Sequence, residues 1–227
     1  MVAGTDRVCT GTGKGTFLEN HLPMDIRKVF GEREPESPAK ERKNTRRERN
    51  KRQYNLGKSI RKRDKSVYSR KEAGHWEADT VVSGQGKSKA CFATVAERKT
   101  RFYIAVKIPD RKASTMENAI VETLSRFPKE LVKTITCDRG SEFANRAKIE
   151  KRFGCEVYFA DPYCAWQKGT NENCNGLLRE FYPKGRNLSR VAPKTPERGL
   201  ALINARPRKV LHFVSAADLW NRKLENY

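Results

Sequence analysis

The sequence predicts an α/β protein built on a mixed, five-stranded sheet with helices on its faces. Two observations carry this prediction. Three short runs rich in β-branched and aromatic residues follow one another with only turns between them, and two later strand-like runs are separated by segments of helical periodicity. Hairpin-connected strands followed by strands joined through helices give the order β-β-β-α-β-α-β-α, which is that of a mixed sheet.

Taken in order, HWEADTVV (75–82), ACFATVAER (90–98) and RFYIAVKI (101–108) are the three antiparallel strands, separated by polar turns such as Ser83 to Lys87. Met116, Ile120, Leu124 and Phe127 recur at helical spacing and Pro128 stops the run, which predicts a core-facing helix over 113–127. VKTITC (132–137) is a strand that delivers Asp138 at its end. The turn residues RGSEF follow, then a helix over 145–153 and a fifth strand, EVYF, at 156–159. After the loop DPYCAWQKGT, a helix from about 171 to 181 turns Leu177, Leu178 and Phe181 inward. From Pro183 onward a helix around 196–204 and the basic string RPRK form a C-terminal helical appendage packed on that core.

Charge sets the rest of the organisation. The 227 residues hold 48 Lys and Arg against 27 Asp and Glu, a net charge of +21 that points to a polyanionic partner, nucleic acid first. Between Lys40 and Lys71 lie 15 basic and 3 acidic residues, a surplus of 12 and more than half of the total. Tyr54, Leu56, Ile60, Val67 and Tyr68 are too sparse there to build a core, so residues 40–72 read as an extended basic arm that binds DNA or as a solvated linker. Residues 1–39 predict no folded domain beyond a short helix around 24–30. GTGKGT fails the phosphate-loop pattern, because position 8 is Val and position 15 is Gly. The core is expected at 73–183 and the appendage at 184–227.

The six cysteines form no CxxC pair and no zinc spacing with His21, His75 or His212, so reduced structural thiols are expected. No run of about 18 apolar residues and no signal peptide is present, so a soluble, cytoplasmic protein with no membrane partner is expected.

Three carboxylates stand out as candidates for chemistry. Asp79 lies mid-strand between Ala78 and Thr80, where an acid needs a partner, a metal or an exposed face. Asp138 ends a central strand before a Gly-containing turn, the usual place for site residues in open α/β sheets. Glu172 opens the last core helix, 34 positions after Asp138. Three carboxylates on three elements suffice to hold two hard divalent cations, the arrangement that stabilises both oxygens of an in-line phosphoryl transfer.

HWEADTV, TCDRGSEFA and DPYCAWQKGTNENCNGLLREFYPKG resemble the DDE transposases of the bacterial insertion-sequence-thirty family, within the retroviral-integrase-like group of RNase H-like folds. The resemblance runs roughly from Lys58 to Trp220. It implies a transposase that cleaves at the element's inverted repeats and passes the freed 3′-OH to a target strand, with Asp79, Asp138 and Glu172 as catalytic, metal-binding triad. It further implies two Mg²⁺ ions, for which Mn²⁺ can substitute, double-stranded DNA at element ends and target, and a homodimer or higher assembly during synapsis in the bacterial nucleoid. An RNase H-like nuclease or resolvase, and a remnant that binds DNA without transposing, are the alternatives.

DNA contacts are expected from Arg46, Arg47, Arg61 and Arg63 of the arm, from Lys168, Asn173 and Arg179 around the last core helix, and from Arg206, Arg208 and Lys209 of the RPRK string. Arg179 reads equally as a surface ion pair. Asn171, Asn173 and Asn175 orient a carboxylate, touch DNA or cap the helix, with Asn171 favoured as the cap. Trp166 and Gln167 contact DNA or pack the loop, and His75 packs beside the first strand. Two departures from the family pattern are Arg139, where Asn is common, and Ala205 in the RPRK segment. The helix-turn-helix region usual before the core has no counterpart before Lys40, so a truncated or frame-disrupted copy is expected.

Overall fold

A computed structural model describes residues 57–162, 164–192 and 195–227. Arg46, Arg47, the expected helix at 24–30 and most of the expected arm lie outside the described residues.

Strands β1 (Lys58–Ser59), β2 (His75–Val82), β3 (Cys91–Glu97), β4 (Tyr103–Ile108), β5 (Thr134–Cys137) and β6 (Glu156–Phe159) form one sheet in the order β1-β6-β5-β2-β3-β4. β2, β3 and β4 are the antiparallel meander, with Asp79 opposite Thr94. β5 and β6 add in parallel beside β2, as strands joined through helices must. The mixed α/β class, the meander and the RNase H-like arrangement are as the sequence predicts, with one strand more than the expected five.

The extra strand corrects the reading of the basic segment. Lys58 and Ser59 pair in parallel with Tyr158 and Phe159 of β6, and Ile60 and Val67 are buried, so residues 57–72 fold against the sheet instead of extending as an arm. Two apolar anchors suffice where neighbouring strands already present a docking edge.

Helices α1 (Ala113–Leu124), α2 (Arg146–Phe153), α3 (Gly169–Phe181), α4 (Thr195–Ala205) and α5 (Ala216–Leu224) cover both faces. Trp76 and Ala78 of β2 and Cys91, Ala93 and Val95 of β3 pack with Met116, Ile120 and Leu124 of α1 and with Trp220 of α5. The alternate positions Val81 and Phe92 pack with Cys174 and Leu178 of α3 and Ile203 of α4. The period-two alternation of a strand thus sends the odd residues of β2, including Glu77 and Asp79, to the α3 face. With both faces covered, β3 is buried along its whole length.

Local sequence explains the helix ends. α2 stops at Gly154, whose left-handed backbone (φ 68°) returns its N–H to the Glu150 carbonyl. Ser215 caps α5 by accepting from the Asp218 amide at 3.0 Å. α5 packs on the core through Trp220, whose ring lies 5.2 Å from that of Trp76, edge to face. α3 begins two residues before the expected start, so Asn171 sits inside its first turn and does not cap it. No described helix is long and apolar enough to cross a membrane.

Candidate active site

Asp79, Asp138 and Glu172 line one cleft of about 370 Å³, together with Arg139, Asp161 and Lys168. β2 and β5 are adjacent and parallel, which brings Asp79 and the residue following β5 to the same end of the sheet. Glu172 reaches the cleft from the first turn of α3, where its own side chain is exposed.

Each aspartate is held by specific donors. Asn175 Nδ2 donates to Asp79 Oδ2 at 3.0 Å, and Asn175 Oδ1 in turn accepts from the Tyr103 hydroxyl at 2.7 Å. The Thr80 amide donates to Asp79 Oδ1 at 2.9 Å. The Gly140 amide donates to Asp138 Oδ1 at 3.1 Å, and a Cβ at this glycine would collide with the Glu142 carboxylate and crowd Asp138. Glu142 is buried and engaged by Arg111 and by the Thr80 hydroxyl at 3.2 Å.

Lys168, 7% exposed, places its ammonium 3.2 Å from Asp79 Oδ1 and 3.7 Å from Asp138 Oδ2. One positive charge therefore bridges the two aspartates. Burial raises the Asp138 carboxyl above the usual aspartate range; Lys168 opposes the rise and Asp79 adds to it. Among the described residues no three His, Cys, Asp or Glu side chains stand close enough together to hold a metal ion. The chemistry of the donors nevertheless suits a hard cation, because two carboxylates already bracket a positive charge and a third lines the same cleft.

A buried network fixes the turn that carries Glu172. Glu77 is fully buried, forms an ion pair with Arg98, and accepts from the Asn171 amide at Oε2 at 2.8 Å. Asn171 Nδ2 donates to the Glu77 carbonyl at 2.9 Å, and its Oδ1 accepts from Thr94 at 3.2 Å. The first turn of α3 is thereby tied to β2, the strand that carries Asp79, and to its neighbour β3. Sequence reasoning missed Glu77, Glu142 and the bridging role of Lys168. The signal for Glu77 was a second acid two residues before Asp79, on the same strand face.

The expected DNA-contact residues scatter. Arg63 is 3% exposed, donates to Thr136 at 2.8 Å and stacks on Tyr68, so it is removed from any surface along which phosphates pass. Arg61 is exposed beside Asp161 at 3.0 Å. Arg179 donates to the Val82 carbonyl at 3.0 Å and the Tyr182 carbonyl at 3.3 Å; it fastens the end of α3 to β2 and, among the described residues, forms no ion pair. Arg206 pairs with Glu180 at 3.2 Å, Lys209 is exposed, and Arg208 and Asn173 line a separate hollow. Gln167 packs the loop, donating to Asp161 at 3.3 Å, whereas Trp166 is 71% exposed. Arg139 donates to the Ala160 carbonyl at 3.3 Å. His75 is buried beside Thr134, at 2.9 Å, and Glu72.

The family model described as Integrase core domain matches residues 69–165. The chain is 39% identical to the protein named "Probable transposase for insertion-like sequence element IS1161" of Streptococcus salivarius, over 73% of the chain and 46% of that protein. It is 35% identical to the transposase InsI for insertion sequence element IS30A of Escherichia coli (strain K12), over 73% of the chain and 43% of that protein. Against the transposase for insertion sequence element IS1086 of Cupriavidus metallidurans the identity is 36%, over 74% and 49%. The chain spans about half the length of the curated relatives it matches.

Proposed function

The chain carries an integrase core domain similar to those of insertion-sequence transposases, and from that premise we propose that it is a DDE transposase. In this reading it cleaves DNA strands at element ends and joins the freed 3′-hydroxyl to a target strand. The observation that carries the proposal is the shared cleft: Asp79 and Asp138 bracket one cation position, and Glu172 lines the same space.

Asp79, Asp138 and Glu172 are the proposed ligands for Mg²⁺, or for Mn²⁺ in its place. The metal, when bound, supplies Lewis-acid stabilisation of the entering and leaving oxygens. Asn175 and the Gly140 amide hold the two aspartates in orientation, so little reorganisation is needed when they take up a cation. Lys168 keeps the two aspartates from repelling one another in the metal-free site. Glu77 and Asn171 keep the Glu172 turn over the cleft.

The proposed partner is double-stranded DNA at element ends and target, attracted by the net charge of +21, Arg46 and Arg47 included. Joining two ends at one target calls for at least a homodimer, and the bacterial nucleoid is the proposed place of action. The test is incubation of the protein with labelled inverted-repeat duplexes in Mg²⁺, Mn²⁺ or EDTA. Metal-dependent cleavage followed by joined products is expected. Cleavage that never yields joined products replaces the transposase with a nuclease, and binding without cleavage leaves a DNA-binding remnant.

A further inference from the structure

Lys168, just before α3, and Glu172 in its first turn line the carboxylate cleft. Gly169 and Asn173, one residue further on in each case, present a face about 100° around the helix axis to a second hollow of about 320 Å³. Arg70, Arg101, Arg208 and Thr170 also line it, and no carboxylate does.

Two of the three guanidinium groups are held by neutral partners. Arg101 Nη1 donates to Thr170 Oγ1 at 2.8 Å, and Arg208 donates to the Ile203 carbonyl at 3.2 Å and to Cys174 Sγ at 3.6 Å. The Nε atoms of Arg101 and Arg208 are buried without a hydrogen-bond partner. Glu77 and Glu97 attract Arg70, but Glu77 is taken by Arg98 and Asn171, and Glu97 by Thr100 and the Gly74 amide. Among the described residues no carboxylate forms an ion pair with Arg70, Arg101 or Arg208 or lines the hollow.

The backbone supports the same conclusion. Arg70 and Arg101 both adopt left-handed conformations, φ 54° and 63°, which residues with a Cβ rarely take. Strain of this kind concentrates at ligand clamps. The 13-residue α3 also begins here, where helix amides favour an anion.

We infer that this hollow is a binding site for a backbone phosphate of DNA, an inference that rests on the transposase reading and locates a contact for it. Guanidinium forks match phosphate oxygens in pairs.

The test measures the affinity of the full chain for a fluorescent inverted-repeat duplex by anisotropy, as a function of salt. Arg70→Gln and Arg101→Gln are each expected to weaken binding about 5- to 20-fold and to flatten the log–log salt slope by about 0.9. Gly169→Asp adds a carboxylate where a Cβ meets nothing within 4 Å, so it keeps the melting temperature of the parent yet weakens binding at least as much. Arg126→Gln, at an exposed ion pair with Glu122, is expected to bind like the parent. A duplex neutralised by methylphosphonate at the contacted phosphate is expected to lose affinity for the parent and not for Arg101→Gln. If the parent binds duplex and folded Gly169→Asp matches it in affinity and slope, the hollow is not a phosphate site and the transposase reading stands. A parent that binds no duplex removes both.

Discussion

The Lys168 ammonium lies 3.2 Å from Asp79 Oδ1, on the side where the neighbouring Asp138 also turns an oxygen toward it. A cation thus sits between the two aspartates before any metal is added, and it comes from the residue that immediately precedes α3, four positions before Glu172.

Replacing it is expected to favour metal. Lys168→Met leaves two carboxylates facing one another, so the metal-free protein melts lower than the parent, while Mn²⁺ binds about tenfold more tightly, about 1.4 kcal/mol. Differential scanning fluorimetry across a Mn²⁺ series reads both effects. Equal Mn²⁺-dependent stabilisation of parent and variant would show that Lys168 does not compete for the site.

The network beneath α3 sets a second expectation. Glu77→Ala leaves Arg98 buried without its partner, a loss of about 3–5 kcal/mol, while Asn171→Ala strands fewer groups and costs about 1–3 kcal/mol. Urea unfolding measures both. At denaturant concentrations where Asn171→Ala remains folded, its metal affinity should also fall, because the Glu172 turn loses its anchor to β2 and β3.

Packing makes a third prediction about α5. Trp220 touches Trp76, Phe102 and Phe127 with ring centroids 5.1 to 5.4 Å apart, so Trp220→Ala is expected to destabilise by about 3–5 kcal/mol. Its Nε1 is buried without a partner, so Trp220→Phe should cost less than about 1.5 kcal/mol. Removal of α5 without loss of stability would show that its packing adds nothing to the core.

His75 supplies a pH dependence. Burial holds its imidazole below the usual histidine range, against the pull of Glu72. The unfolded chain then binds more protons than the folded one once pH falls below about 6.5, so this contribution is complete above that pH and is lost on acidification. The melting temperature should fall more steeply below pH 6.5 in the parent than in His75→Gln. Identical profiles would assign the acid sensitivity elsewhere.

Much of the scaffold was legible because strands and helices announce their period and punctuation: β6 falls where EVYF predicts it, and β2 matches HWEADTVV. β1 was not, since two residues inside a run of charge carry no period. Arg63 was misplaced for the same reason, because composition says that a basic segment is solvated and cannot say that one guanidinium stacks on Tyr68. Asn171 was misread as a cap because its partners, Glu77 and Thr94, are 94 and 77 positions away and only the folded sheet brings them near. The three carboxylates were legible as chemically odd in their places, but the cation already between two of them was not.

The central claim is that Asp79, Asp138 and Glu172 act together in metal-dependent DNA strand cleavage and transfer. It is tested most directly by single-turnover cleavage and joining of a labelled inverted-repeat duplex in Mg²⁺, comparing the parent with Glu172→Gln at matched DNA occupancy. Glu172→Gln is expected to bind the duplex like the parent and to lose at least about 100-fold in both steps, the scale for removing one preorganised electrostatic group. Parent-like rates of cleavage and joining by Glu172→Gln would contradict the account.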